Sequence, residues 1–161
     1  MNTKTLYERT KYLIFNKPLE KYDFVLQSED KKSHIIFSFI DVELERSKSI
    51  NYLVNIKDDQ FAGQVEIWID QEELNRFIEG LLKAENGEVE HISLRAISEE
   101  ELEVTFMDQR MGRYEIAYSI KNRRYSRNRL IETTLKGSFE YDIEFSNQLK
   151  ENLKDIHKLL S

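Results

Sequence analysis

The sequence predicts an α+β fold: a mostly antiparallel sheet of about seven to nine strands, with two main helices packed on it near 71–85 and 146–160. Three observations carry this reading. Apolar residues recur with a period of two along much of the chain. The period changes to that of a helix in two places. The connections between strands are short and polar, which suits antiparallel hairpins rather than crossovers.

Taken in order, Tyr22, Phe24 and Leu26 alternate with polar neighbours and read as a first strand. Ile40, Val42 and Leu44 form the next, after the polar turn Glu29-Asp30-Lys31-Lys32. Ile50, Tyr52, Val54 and Ile56 follow, then Lys57-Asp58-Asp59 as a connection, then Val65, Ile67 and Ile69. Leu74, Phe77, Ile78, Leu81 and Leu82 fall on one helical face. Asp70 is placed to cap that helix, with Glu73 three residues on and Ile69 and Leu74 set for a hydrophobic staple. Asn86-Gly87 supplies the stop. Strands resume at Ile92–Ala96, Leu102–Phe106 and Tyr114–Ile120, with a hairpin turn over Asp108–Gly112. A last strand runs through Ile131, Thr133 and Leu135 toward Phe139 and Tyr141, with Gly137 marking a bulge or bend. Ser146 reads as the cap of a closing helix with Leu149, Leu153, Ile156 and Leu160 on one stripe. Leu6–Phe15 is left unassigned between strand and helix.

The 161 residues suit one domain, 1–161, with no repeat or composition break. A hydrophobic content of 40% supports a core, and a charged content of 34% a well-solvated surface. With no cysteine, disulfides, thiolate nucleophiles and cysteine-based metal sites are excluded. Met1-Asn2-Thr3-Lys4 lacks the long apolar run of a signal peptide, and no apolar stretch is long enough to cross a bilayer. A cytoplasmic protein without a membrane partner is the expectation. The net charge of −6 makes nucleic acid an unfavourable partner for the surface as a whole and favours a basic one, although solubility explains the same excess.

The residues offer little for catalysis. His34, His91 and His157 have no second histidine at helical spacing, and each reads as an exposed or half-exposed side chain. Gly63, Gly80, Gly87, Gly112 and Gly137 are scattered rather than clustered, so no phosphate-binding loop is present. No catalytic set, metal site or cofactor is expected. Two segments remain as candidate partner-binding residues. Glu99, Glu100 and Glu101 form the densest acidic run, on a hairpin tip, where they could meet a basic partner. Lys121, Arg123, Arg124, Arg127 and Arg129 fall within nine residues around Tyr125. Such a segment can hold an anion or RNA, with Tyr125 stacking on a base. The reading preferred here is a loop between two strands whose arginines pair with the Glu-rich surface nearby. Trp68 points away from Val65, Ile67 and Ile69, either covering a second apolar layer or standing as an exposed anchor.

From Phe61 onward the chain resembles the WapI-type immunity proteins of bacterial polymorphic toxin systems. The resemblance rests on a strand with Gly63 leading into a helix with Leu74, Phe77 and Leu81, then a Gly87 turn. Strands with Leu94, then Leu102 and Val104, follow. Asp108 and Gly112 form the turn to Tyr114 and Ile116, and a strand with Phe139 precedes a helix with Leu149 and Leu153. It covers roughly the last 100 residues. The family often carries an Asp at the start of the closing helix, where Ser146 stands here, and the basic insert at Arg123–Arg129 is longer than usual. The resemblance implies a cytoplasmic, non-catalytic protein that binds and blocks a cognate toxin domain, often a nuclease. Two other classes stay open: an RNA- or anion-binding regulatory module using 121–129, and a carboxylate-dependent hydrolase.

Overall fold

The structure, a computed structural model, describes residues 19–161, so the unassigned stretch Leu6–Phe15 lies outside the described residues. The element order is β1 (Phe24–Gln27), β2 (Ser33–Glu43), β3 (Ser49–Asp58), β4 (Phe61–Asp70), α1 (Gln71–Glu85), β5 (His91–Arg95), β6 (Leu102–Asp108), β7 (Tyr114–Ser126), β8 (Arg129–Glu140) and α2 (Ser146–Leu160). The fold is α+β, as expected. Its eight strands divide into two antiparallel sheets, β1-β2-β3-β4 and β5-β6-β7-β8.

The inward rows follow from strand register. Phe24, Phe37, Val54 and Val65 share one face of the first sheet. Leu94, Val104 and Tyr118 share one face of the second. One buried cluster unites these rows with Leu74 and Phe77 of α1 and with Leu149, Leu153, Ile156 and Leu160 of α2. Among the described residues, main-chain hydrogen bonds stitch the sheets at two places. The Ile97 N–H donates to the Trp68 carbonyl (2.8 Å), and the Asp142 N–H donates to the Gln27 carbonyl (2.9 Å) beside a Ser28–Tyr141 bridge. The carboxylate of Asp58, expected in a solvated connection, instead ends β3. It accepts from Ser33 Oγ (2.6 Å) and from the Tyr118 hydroxyl of the other sheet.

The α1 boundaries match the sequence reading. Asp70 accepts from the Glu73 N–H (2.8 Å), while the Glu73 carboxylate turns to the Arg95 N–H (2.9 Å) rather than closing the capping box. Gly87, with φ of 73°, ends the helix by donating to the Ala84 carbonyl. Gly80 lets α1 lie close on β5, since a β-carbon there would sit 2.6 Å from Ile92 Cγ2. Three local expectations change. Strand β2 begins at Ser33, and a bulge between Phe39 and Asp41 leaves Ile40 and Leu44 exposed while Ile35 and Phe37 fill the core. Gly137 lies in unbroken register with Tyr118, so it makes a close contact rather than a bulge. Ser146 does not cap α2, which has no side-chain cap. Asp142 caps the short 3-10 turn Ile143–Phe145 before it, accepting from the Glu144 N–H. A missing cap costs about 1 kcal/mol, whereas each buried aliphatic on α2 contributes roughly 2 kcal/mol, so packing fixes this helix.

Candidate partner-binding site

Pairing between β6 and β7 ends at Leu102–Ile120. Beyond that point β7 and β8 run on together as a two-stranded arm, through Asn122–Thr133, Arg124–Ile131 and Ser126–Arg129. Every residue from Asn122 to Leu130 is exposed. The basic segment is therefore a projecting hairpin and not the loop expected from its polarity. Its turn is two residues long, with Arg127 at φ 51° and Asn128 at φ 63°. Two consecutive left-handed residues match the twist of a tight hairpin.

Register sorts the arm into two faces. One carries Lys121 with Thr134, Arg123 with Glu132, and Tyr125 with Leu130. The other carries Asn122 with Thr133, Arg124 with Ile131, and Ser126 with Arg129. Tyr125 is 77% exposed and Leu130 45%, and together they form an open apolar pair at the tip. Leu130 escaped sequence reasoning, although its placement across a two-residue turn from Tyr125 is a usable signal.

The structure brings the acidic run and the base of the arm together. Glu99, Glu100 and Glu101 lie in the turn between β5 and β6, with Glu100 at φ 67°. The Glu101 carbonyl accepts from the Lys121 N–H (3.1 Å), and the Glu99 carbonyl from Arg123 Nη1 (3.2 Å). Glu100 takes Lys121 Nζ at 2.7 Å and Arg123 Nη2 at 3.1 Å. Arg123 also holds Glu132 at 3.2 Å. The hydrogen bond and charge of Lys121, reinforced by Arg123, keep the Glu100 carboxyl below its ordinary range. Glu100 thus acts as a clamp at the arm's root. Arg124, Arg127 and Arg129 enter no ion pair among the described residues, so only the proximal cations are neutralised as expected.

The remaining candidates lie outside the arm. Trp68 lies on the outer face of the first sheet, 37% exposed beside Ile97. His157 Nδ1 lies 2.8 Å from Asn75 Oδ1 on the helix surface. His34 is half-buried, and that burial, with Lys57 nearby, lowers its pKa. A groove of about 300 Å³ near Glu29, Lys31, Asp142 and Glu144 gathers carboxylates, but Asp142 is tied to Lys31 and to the Glu144 N–H. Among the described residues no three His, Asp or Glu side chains are placed to hold a metal ion, and no helix is long and apolar enough to cross a membrane. The arm can offer an aromatic–aliphatic contact and three uncommitted guanidinium groups, which is equipment for recognition. No family model, curated protein or solved structure matches the chain.

Proposed function

We propose that the chain is a non-catalytic binding protein of the immunity type, which neutralises a cognate bacterial toxin domain by occupying it with the β7–β8 arm. The observation that carries this reading is the open Tyr125–Leu130 pair at the end of a clamped hairpin. Tyrosine and arginine dominate binding hot spots because they supply large contact area and directed hydrogen bonds at low entropic cost. The clamp at Glu100 restricts the root of the arm before any partner arrives, which lowers the ordering cost of association. The acidic excess elsewhere on the chain suits a partner with a phosphate-binding surface, such as a nuclease toxin, by steering the encounter.

Co-expression with the toxin domain encoded beside its own gene tests the proposal. The wild-type chain restores growth, and Tyr125→Ala combined with Leu130→Ala does not. Continued killing in the presence of folded wild-type protein rejects the reading. RNA binding that disappears when Arg124, Arg127 and Arg129 become Ala, and that weakens steeply with salt, supports the regulatory module instead.

A further inference from the structure

Strand β8 ends the second sheet, and its outer edge has no strand beside it among the described residues. Two hydrogen bonds fix which residues point there. The Tyr141 N–H donates to the Tyr114 carbonyl of β7 (2.8 Å), so odd-numbered residues of β8 face β7. The Glu140 carbonyl instead accepts from the Glu29 N–H (2.9 Å), on the other side. Leu130, Glu132, Thr134, Lys136 and Ser138 share the parity of Glu140 and aim their backbone N–H and C=O groups outward. All five are exposed. A row of this kind is a template for strand addition.

We propose that this edge pairs with the same edge of a second copy, antiparallel and centred on Thr134, joining two four-stranded sheets into one of eight strands. The sequence of the edge matches itself in that register. Thr134 meets Thr134 of the second copy on the two-fold axis. Glu132 of each copy meets Lys136 of the other, and Leu130 meets Ser138. Opposite charges directly across a strand pair favour pairing, and like charges oppose it. A two-fold contact repeats each match, as a closed dimer requires. The same register lays each basic arm along the body of the other copy. Arg127, which enters no ion pair among the described residues, comes level with Tyr141, next to Glu140 and Glu29, which are both exposed. It also gives each two-stranded arm a third strand, the number at which a sheet gains independent stability. The Tyr125–Leu130 face stays open, so this inference does not depend on the immunity reading.

Sedimentation of the full chain over a concentration series up to about 500 μM, with variants, decides it. The wild-type chain moves from monomer to twice its 19.3 kDa mass. Thr134→Pro stays monomeric. It removes an N–H that has no partner among the described residues, and proline is tolerated on such an edge, so its melting temperature stays near wild type. Glu132→Lys and Lys136→Glu, made singly, weaken the dimer by roughly tenfold or more, because each sets like charges across the axis, and Glu132→Lys also removes its ion pairs with Lys121 and Arg123. The double exchange E132K/K136E recovers most of that loss, a result that only this register gives. A wild-type chain that remains monomeric throughout overturns the proposal. So does a dimer that Thr134→Pro leaves intact, or a double exchange no better than its parents.

Discussion

At Gly137 a β-carbon would stand 2.6 Å from the Tyr118 hydroxyl and 2.9 Å from Asp58 Oδ2. The Tyr118 ring lies over its cross-strand partner and reaches the first sheet through that gap. Burial, with Asp58 beside it, raises the Tyr118 pKa, so the hydroxyl remains a donor at any physiological pH. Gly137→Ala is expected to cost about 1–3 kcal/mol, since the Tyr118–Asp58 bond must open to admit the methyl group. The cost should shrink in a Tyr118→Phe background, because the two changes act on one contact; urea titrations of the four proteins measure it. Tyr141 behaves in the opposite way. Its hydroxyl is buried without a hydrogen-bond partner among the described residues. Tyr141→Phe should therefore hold or raise stability, by roughly 1 kcal/mol, where loss of a satisfied hydroxyl would lower it.

For the single element, the arm explains what the sequence could and could not reveal. Alternation in Tyr114, Ile116, Tyr118 and Ile120 marks the half of β7 that has a buried face. It stops at Lys121 because both faces are wet beyond that point, and hydrophobic period is the only signal that distinguishes a strand from a loop here. Arg127 hides the turn further, since a left-handed arginine is uncommon. The bounds of helix α1 were legible because the Asp70 cap, the Leu74 and Phe77 positions and the Gly87 stop agree, although Leu82, expected on the same apolar face, is exposed. The arm's order should depend on pH through its clamp. Glu100 titrates below its ordinary 4.5. The contribution of the clamp is therefore complete above that value and is lost as pH falls through the lower, folded one. Amide exchange corrected for its intrinsic rate should stay flat in residues 122–130 from pH 8 to about 5 and rise below about 4. Glu100→Gln should raise it severalfold at neutral pH.

Across the molecule, sequence periodicity shows which side of a strand is buried and leaves open which sheet the strand joins. How the two sheets are joined depends on long-range contacts that no local pattern encodes, such as Asp58 with Tyr118 and Ile97 with Trp68. The candidate site was legible in its charges, whereas its shape and the meeting of Glu100 with Lys121 and Arg123 were not. One shared core under both sheets predicts a single cooperative unfolding transition. Asp58→Ala, which breaks two inter-strand bonds to a carboxylate, should lower stability by about 2–3 kcal/mol and keep that transition single. The proposed role of the arm is tested most directly by affinity for a toxin domain encoded beside the gene. Replacing Tyr125 and Leu130 together by Ala should weaken binding about 30-fold or more, at an unchanged melting temperature. Equal affinity of the variant and the wild type would contradict the assignment of the arm as the contact surface.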